Sequence, residues 1–397
     1  MVFSQDNNIG WNFNNSYLNL PNILMSKINP DKTPLPKLII LNDNLAKEMN
    51  LNFESINKKD IALIFSGNNL PSGSECIAQA YAGHQFGYFS ILGDGRALLL
   101  GEHINHHNKR YDIQFKGSGK TPYSRNGDGK AALGPMLREY LISEAMHALN
   151  IPTSRSLAIV TTGEDVIREK KLKGAVLTRI ASSHIRIGTF QFAAIQKQKN
   201  ILEKLVDYTI QRHYPEIANH KNKVEQLLKR LIEKQINLVI EWMRVGFIHG
   251  VMNTDNVTLS GETIDYGPCS FMDYYNPKTV FSSIDHQGRY SFQNQEIICH
   301  WNVSRFAETL IPLLANNEDK AISISELAGL IKRSKFVVAN DTGPAHMAAH
   351  LNVKGLSLFG SHTTAHKVSI ERENFKAIQV NDLKNLSAEK VFERLVF

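Results

Sequence analysis

Three cysteines in 397 residues, Cys76, Cys269 and Cys299, are too few and too scattered for a disulfide framework or a thiolate zinc site. No apolar run approaches the roughly 18 residues that a membrane-spanning helix needs, so no membrane role is expected. The opening MVFSQDNNIGWNFNNS lacks the basic start and apolar stretch of a secretory signal, and a cytoplasmic protein is expected. A G-x-x-x-x-G-K-[ST] phosphate loop is absent, which excludes the P-loop ATPases. Zinc-finger, RNP-like and helix-turn-helix signatures are also missing. Nucleic acid is therefore not the expected partner, although the net charge is +7 and the pI near 9.1. Much of that basic character falls between Lys170 and Lys234 and suits a polyphosphate ligand. A hydrophobic share of 42% and a charged share of 21% are those of an ordinary globular chain.

What is present has an order. Residues 1–65 are polar, Asn-rich and spaced by Pro, and read as an extended arm with a short helix at Asn42–Met49. From Ser66 to Gln114, short apolar runs alternate with Gly-rich turns, as in "YFSILGDGRALLLGE" and "RYDIQF", and predict β-hairpins. Leu133, Leu137, Leu141, Ala145 and Ala148 repeat at helical spacing within Ala131–Leu149, where Pro135 fits only the first turn. Two strands follow around a Gly-Glu-Asp turn, then a basic amphipathic helical region from Asn200 to Phe247. The domains expected are an arm (1–65), a strand-rich lobe (66–170), a mainly helical lobe (171–315) and a tail (316–397), with a composition break at Asn316–Lys320. The fold class expected is α+β, a protein-kinase-like two-lobed fold ending in a short α/β, partly Rossmann-like segment.

The most informative absence is one residue. "HGVMNTDNVTLSGETIDYGP" parallels the kinase loop H-R-D-x-x-x-x-N and the D-F-G that follows it, but Val251 stands where the proton-accepting Asp belongs. Asn256 and Asp265 keep the metal-ligand positions, and they offer the hard oxygens that Mg²⁺ prefers. Asp255, beside Asn256, is free to serve as the base. The plainer alternative is a polar turn. Lys116 ends a predicted strand before a Gly-rich stretch, and the kinase pattern pairs such a Lys with a helix Glu. Glu139 and Glu144 both qualify, and helical spacing does not choose between them; a solvated surface turn is the alternative for Lys116. Gly93, Gly95 and Arg96 in "LGDGR" read first as a tight turn, with Arg96 able to reach a phosphate. Arg179 and Arg186, seven apart, could clamp a phosphate or simply lie on the surface.

Together, "YAGHQFGYFSILGDGRALLLGE", "DIQFKGSGKTPYSRNGDGKAAL", "REYLISEAMHALNIPT", "VLTRIASSHIRIGTFQFAA" and "GFIHGVMNTDNVTLSGETIDYGPCSFMDYYNP" resemble the selenoprotein O family over about residues 10–315. These are pseudokinase-like protein adenylyltransferases. The resemblance implies a kinase-like fold with ATP bound in reverse, so that AMP passes to Ser, Thr or Tyr hydroxyls of other proteins. It implies ATP with Mg²⁺ or Mn²⁺; separately, a monomer is expected. Carried over by motif, Gly93, Gly95 and Arg96 contact nucleotide. Lys116 with Glu139, Asp128, Gly129, Arg179 and Arg186 hold phosphates. Asp255 accepts the proton, and Asn256 and Asp265 bind metal, with Asp265 also near the nucleotide.

Three departures qualify the resemblance. Lys130, Gly134 and Pro135 at the helix start are expected to soften the Lys116–Glu139 pair. The pattern is read as lapsing after Leu314, so the C-terminal Cys that the family can pair with the Cys269 position is expected to be lost. And the tail "ELAGLIKRSKFVVANDTGPAHMAAHLNVKGLSLFGS" instead resembles the C-terminal part of heptosyltransferase-like glycosyltransferases, whose D-[ST]-G-P-x-H element (here Asp341–His346) sets a helix N-terminus on a diphosphate. Half a doubly wound sheet forms no ligand crevice, so a fragment without its own catalysis is expected. The competing readings are a nucleotide-binding scaffold without catalysis, an ordinary phosphotransferase, and glycosyl transfer through the tail.

Overall fold

The first 65 residues are more than an arm. In the computed structural model, which describes residues 9–314, 324–361 and 364–394, they supply two strands and two helices. The very start of the arm (1–8) and the break at Asn316–Lys320 lie outside the described residues. Nine strands form one antiparallel sheet: β1 (Met25–Lys27), β2 (Lys37–Leu41), β3 (Ile77–Gln85), β4 (Tyr88–Gly93), β5 (Ala97–Ile104), β6 (Arg110–Lys116), β7 (Ala131–Ala132), β8 (Arg155–Ile167) and β9 (Lys171–Ala181). The order is β1-β3-β5-β6-β9-β8-β2, with β4 on β3 and β7 on β9. The apolar run KLIIL of β2 pairs with β8, which the surrounding polarity concealed. Helices α1 (Asp43–Glu48) and α2 (Lys58–Phe65) start at Asn42 and Asn57, whose side chains accept from backbone N–H groups of the first turn. Part of the Asn richness is therefore helix capping.

Helix α3 (Leu133–Ala148) lies where the spacing predicted it, with Pro135 in the first turn, but its buried face is a different one. Leu141 is 66% exposed, while Met136, Glu139, Ser143 and Met146 are buried. Two polar residues are drawn inside because each has an interior partner: Glu139 meets Lys116, and Ser143 shares a hydrogen bond with Ser156. Helix α4 (Ile187–Ile195) was not foreseen. Its sequence IGTFQFAAI is rich in β-branched and aromatic residues, yet it is almost wholly buried, and packing overrides propensity there.

Helices α5 (Lys199–His213), α6 (Lys223–Arg244) and α7 (Gln295–Leu314) form the helical part, with a two-strand ribbon β10 (Phe247–Ile248) and β11 (Ser270–Phe271). Leu227, Leu231, Leu238 and Trp242 make the buried stripe of α6. One apolar core joins α4–α7, a second lies between the sheet and α1–α2, and a third, around Trp242 and Phe247, supports the loop after β10. Among the described residues no helix is long and apolar enough to cross a membrane.

All of this belongs to one unit, residues 1–314; residues 315–397 form another. The second unit contains α8 (Ile324–Arg333), β12 (Val337–Asn340), α9 (Gly343–His350), β13 (Gly355–Phe359), α10 (Ala365–Val368), β14 (Phe375–Gln379) and α11 (Ala388–Glu393). Its three strands are parallel, in the order β12-β13-β14, around a core of Ala345, Ala348, Phe359 and Phe375.

Candidate active site

Strand register assembles the floor of the site. β6 and β9 pair with Gln114 opposite Arg179 and Lys116 opposite Leu177, which puts Gln114, Lys116 and Arg179 on one face. Lys116 Nζ donates to Glu139 Oε2 at 2.7 Å and to Asp265 Oδ1 at 3.4 Å. Arg179 donates to Glu139 Oε1 (2.5 Å), Asp265 Oδ1 (2.6 Å) and Gln114 Oε1 (3.1 Å). Arg186, the residue before α4, reaches Asp94 Oδ1 (3.3 Å) and Asp265 Oδ2 (3.4 Å) and lies 4.4 Å from the Tyr81 ring. Three cations thus share three carboxylates. Neither arginine is on the surface; both are buried. The Lys116–Glu139 pair closes despite the altered helix start, and Lys130 pairs with Glu164 instead. Glu144 turns away to Arg155 and Asn42. Burial alone would raise the Asp265 carboxyl, but Arg179, Lys116 and Arg186 together hold it well below the usual carboxylate range. Asp265 has φ +58, a left-handed backbone that Asp tolerates better than most residues.

The loop after β10 carries the rest. His249 is a support: its Nε2 bonds the Ile264 carbonyl at 2.9 Å and its ring stacks on Trp242. Val251 offers no side-chain chemistry, but its carbonyl accepts from Asn256 Nδ2 at 2.8 Å and so orients that amide. Asp255 lies on a single 3₁₀ turn, Thr254–Asn256, and is 7% exposed. Gln85 Nε2 stands 3.5 Å from its Oδ2, the limit of hydrogen-bonding distance, and its Oδ1 is buried with no partner. Burial raises this carboxyl to about 6, with Arg186 opposing and Asp265 reinforcing the shift. Thr254 pins the turn, accepting from His84 N and donating to Gln191 Oε1, both at 2.7 Å.

These groups open on a cleft of about 940 Å³, lined by every predicted site residue except Glu139, which lies behind Lys116. A Cβ at Gly93 would stand 2.3 Å from the Tyr123 ring, so that glycine admits the loop bearing Tyr123 against the hairpin. Asp128 does not face the floor cations; Arg168 holds its carboxylate at 2.8 and 3.1 Å. Arg168, Asp94, Gln85, Asn253 and Gln114 escaped the sequence reading. Asp94 sits inside a G-D-G that reads as a turn, and the others have no local signature.

The oxygen donors fit a hard divalent cation. Asp265 and Asn256 are a carboxylate and an amide, and both line the cleft. Among the described residues no three His, Cys, Asp or Glu side chains converge, and Mg²⁺ is commonly held by one or two carboxylates with substrate phosphates. Cys269 is buried, its thiol pushed up by burial to about 11 with Arg138 opposing.

Against known proteins, the family described as protein adenylyltransferase SelO matches residues 8–349. The chain belongs to the SelO family. Two relatives, each described as a protein nucleotidyltransferase YdiU, are 62% identical over 317 residues (Pelagibacter ubique) and 60% over 320 (Nitrosococcus oceani). The matches cover 80% and 81% of this chain but 66% and 65% of those proteins, so the chain spans just under two thirds of their length. A Bacillus cereus YdiU is 51% identical over 400 residues, covering 99% of this chain and 80% of its own. Glycosyltransferase family 9 (heptosyltransferase) matches residues 320–395, overlapping the end of the SelO match. The overlap falls in the second unit, whose parallel sheet is unlike the antiparallel sheet of the first. There Asp341 Oδ1 contacts His346 Nε2 at 3.2 Å. Among solved structures, ROP2 from Toxoplasma gondii, described as having a protein-kinase fold and no enzymatic activity, aligns at TM-score 0.30 with 10% identity, over 57% of this chain and 67% of that one. That likeness is too low to carry an argument. The SelO membership and the Lys–Glu pair over a D-Y-G loop stand without it.

Proposed function

We propose that this chain is a protein adenylyltransferase that transfers AMP from ATP to Ser, Thr or Tyr hydroxyls of other proteins. The observation that carries this is the pairing of Val251 with Asp255. The usual base position is empty of chemistry, while a buried carboxylate poised near pH 6 stands beside the metal-binding amide. The acceptor oxygen forms a bond to the α-phosphorus, the bond from that phosphorus to the bridging oxygen breaks, and pyrophosphate leaves. The Asp255 carboxylate, which lines the cleft, takes the hydroxyl proton. Lys116, Arg179 and Arg186 hold the phosphates, and Glu139 fixes Lys116 and Arg179 in place. Asn256 and Asp265 would hold Mg²⁺ or Mn²⁺, which supplies charge neutralisation at the phosphate oxygens when bound. Reversing the nucleotide moves the reacting phosphorus, which accounts for a base displaced from the Val251 position. In this reading the enzyme is a cytoplasmic monomer, and the 315–397 unit has no catalysis of its own.

The test is transfer of label from ATP carrying it at the α or the γ phosphorus. Label reaching protein only from the α position is expected. Transfer only from γ would make the chain an ordinary phosphotransferase, and ATP binding without transfer from either position would make it a scaffold.

A further inference from the structure

Beside the cleft, the β3–β4 hairpin helps to build a second groove. Gln85 pairs with Tyr88 across the hairpin, so Phe86 and Gly87 form a two-residue turn with φ +51 and +90, the sign pattern of a type I′ turn. The turn holds Tyr88 at 80% exposure. Ile284 (64% exposed) and Ile297 of α7 (60%) line the same groove, whose volume is about 710 Å³. Phe86 and Ile284 line both this groove and the active-site cleft. Phe86 N also donates to Asn253 Oδ1, two residues before Asp255. The groove therefore leads away from the point where an acceptor hydroxyl must sit.

Its lining carries one carboxylate, Asp285, and one guanidinium, Arg289, and they are not paired with each other. Asp285 is used internally, its two oxygens accepting from the Arg289 and Tyr290 backbone N–H groups. Among the described residues no carboxylate pairs with the Arg289 guanidinium. It lies 4.8 Å from the Trp301 ring and 3.8 Å from where a Cβ on Gly87 would stand, and its Nε is buried without a partner. A cation held on an aromatic face next to exposed apolar side chains suits a ligand that is both acidic and apolar. The net charge of +7 adds long-range attraction for an acidic partner.

We infer that this groove docks the acceptor protein. The segment carrying the target hydroxyl places an acidic side chain on Arg289 and an apolar one against Tyr88, Ile284 and Ile297. The inference rests on the adenylyltransferase reading. The test uses fluorescein-labelled 15-residue peptide mixtures with a central Ser, Leu on one side and Glu at varied flanking positions. Control mixtures carry Lys for Glu or Gly for Leu. Fluorescence anisotropy is expected to show the Glu–Leu mixture binding about tenfold tighter than either control. Arg289→Glu should invert the Glu-over-Lys preference, and Arg289→Lys should keep it. Tyr88→Ser combined with Ile297→Ser, both outside the active-site cleft, should weaken binding about tenfold while ATP affinity stays unchanged. In AMP transfer to the same peptides these variants should raise KM and leave kcat near wild type.

Equal binding of the Glu and Lys mixtures, or a preference that Arg289→Glu does not move, overturns the groove. A dimer abolished by the same substitutions would assign the groove to a second copy of the chain, and would also overturn it. Selective peptide binding without AMP transfer supports the groove and refutes the adenylyltransferase reading. AMP transfer indifferent to Glu, Leu and Arg289 does the reverse.

Discussion

As the proposed base, Asp255 concentrates both the chemistry and its cost. Asp255→Asn should lower AMP transfer by about 10²–10⁴-fold with ATP affinity retained, as read by single-turnover kinetics and calorimetric titration. Because the base must be ionised, log kcat/KM should fall by about one unit per pH unit below about 6. Stability moves the opposite way. The folded carboxyl keeps its proton up to about 6, above the ordinary value near 3.9. The native state therefore binds more protons than the unfolded chain, and this contribution, full in acid, is lost as pH rises from about 4 through 6. Asp255→Asn, which stays neutral, should be near wild type in stability at pH 4 and more stable at pH 8, by up to about 3 kcal/mol. Urea midpoints at the two pH values measure it. The sequence offered Asp255 as an acid next to the Asn256 amide. Its burial and unsatisfied Oδ1 come from β3 and α4, which lie far from it in the chain.

Two glycines, one in β3 and one in α4, bring those elements close enough to bury Asp255. A Cβ on Gly83 would stand 2.4 Å from Asp255 Oδ1, and one on Gly188 would stand 2.0 Å from the Ala82 carbonyl oxygen. The obstacle differs, and so does the expected result. Gly83→Ala meets the Asp255 side chain from Oδ1 to Cβ, the latter at 2.9 Å, and should displace the proposed base, lowering kcat by about 10–100-fold with a smaller loss of stability than at Gly188. Gly188→Ala meets backbone and should cost about 1–3 kcal/mol of stability, seen in denaturant melts. If Gly83→Ala destabilised as much and left kcat intact, β3 would be only a packing element. At this scale the sequence was partly legible. Period-2 and turn signals announced the β3–β6 hairpins, and helical spacing announced α3. The buried face of α3 was not legible, because Glu139 is drawn inside by Lys116 and Arg179, 23 and 40 residues away.

For the whole molecule, the net charge of +7 and the floor of Lys116, Arg179 and Arg186 should make ATP binding weaken with salt. The dissociation constant is expected to rise severalfold between about 0.05 and 0.5 M NaCl, less than for a surface site because these cations are buried. A salt-independent constant would place the nucleotide elsewhere. By itself the sequence determined the chemistry available: hard oxygen donors at Asn256 and Asp265, no base at Val251, and a tail of different character from the rest. Those features are local, because residue type and spacing settle them. Only the tertiary structure decided which Glu meets Lys116, that both arginines are interior, and that Asp255 is dry enough to titrate near 6. Each of these depends on desolvation and on partners brought together by strand register and helix packing, and neither is a property of a stretch of chain.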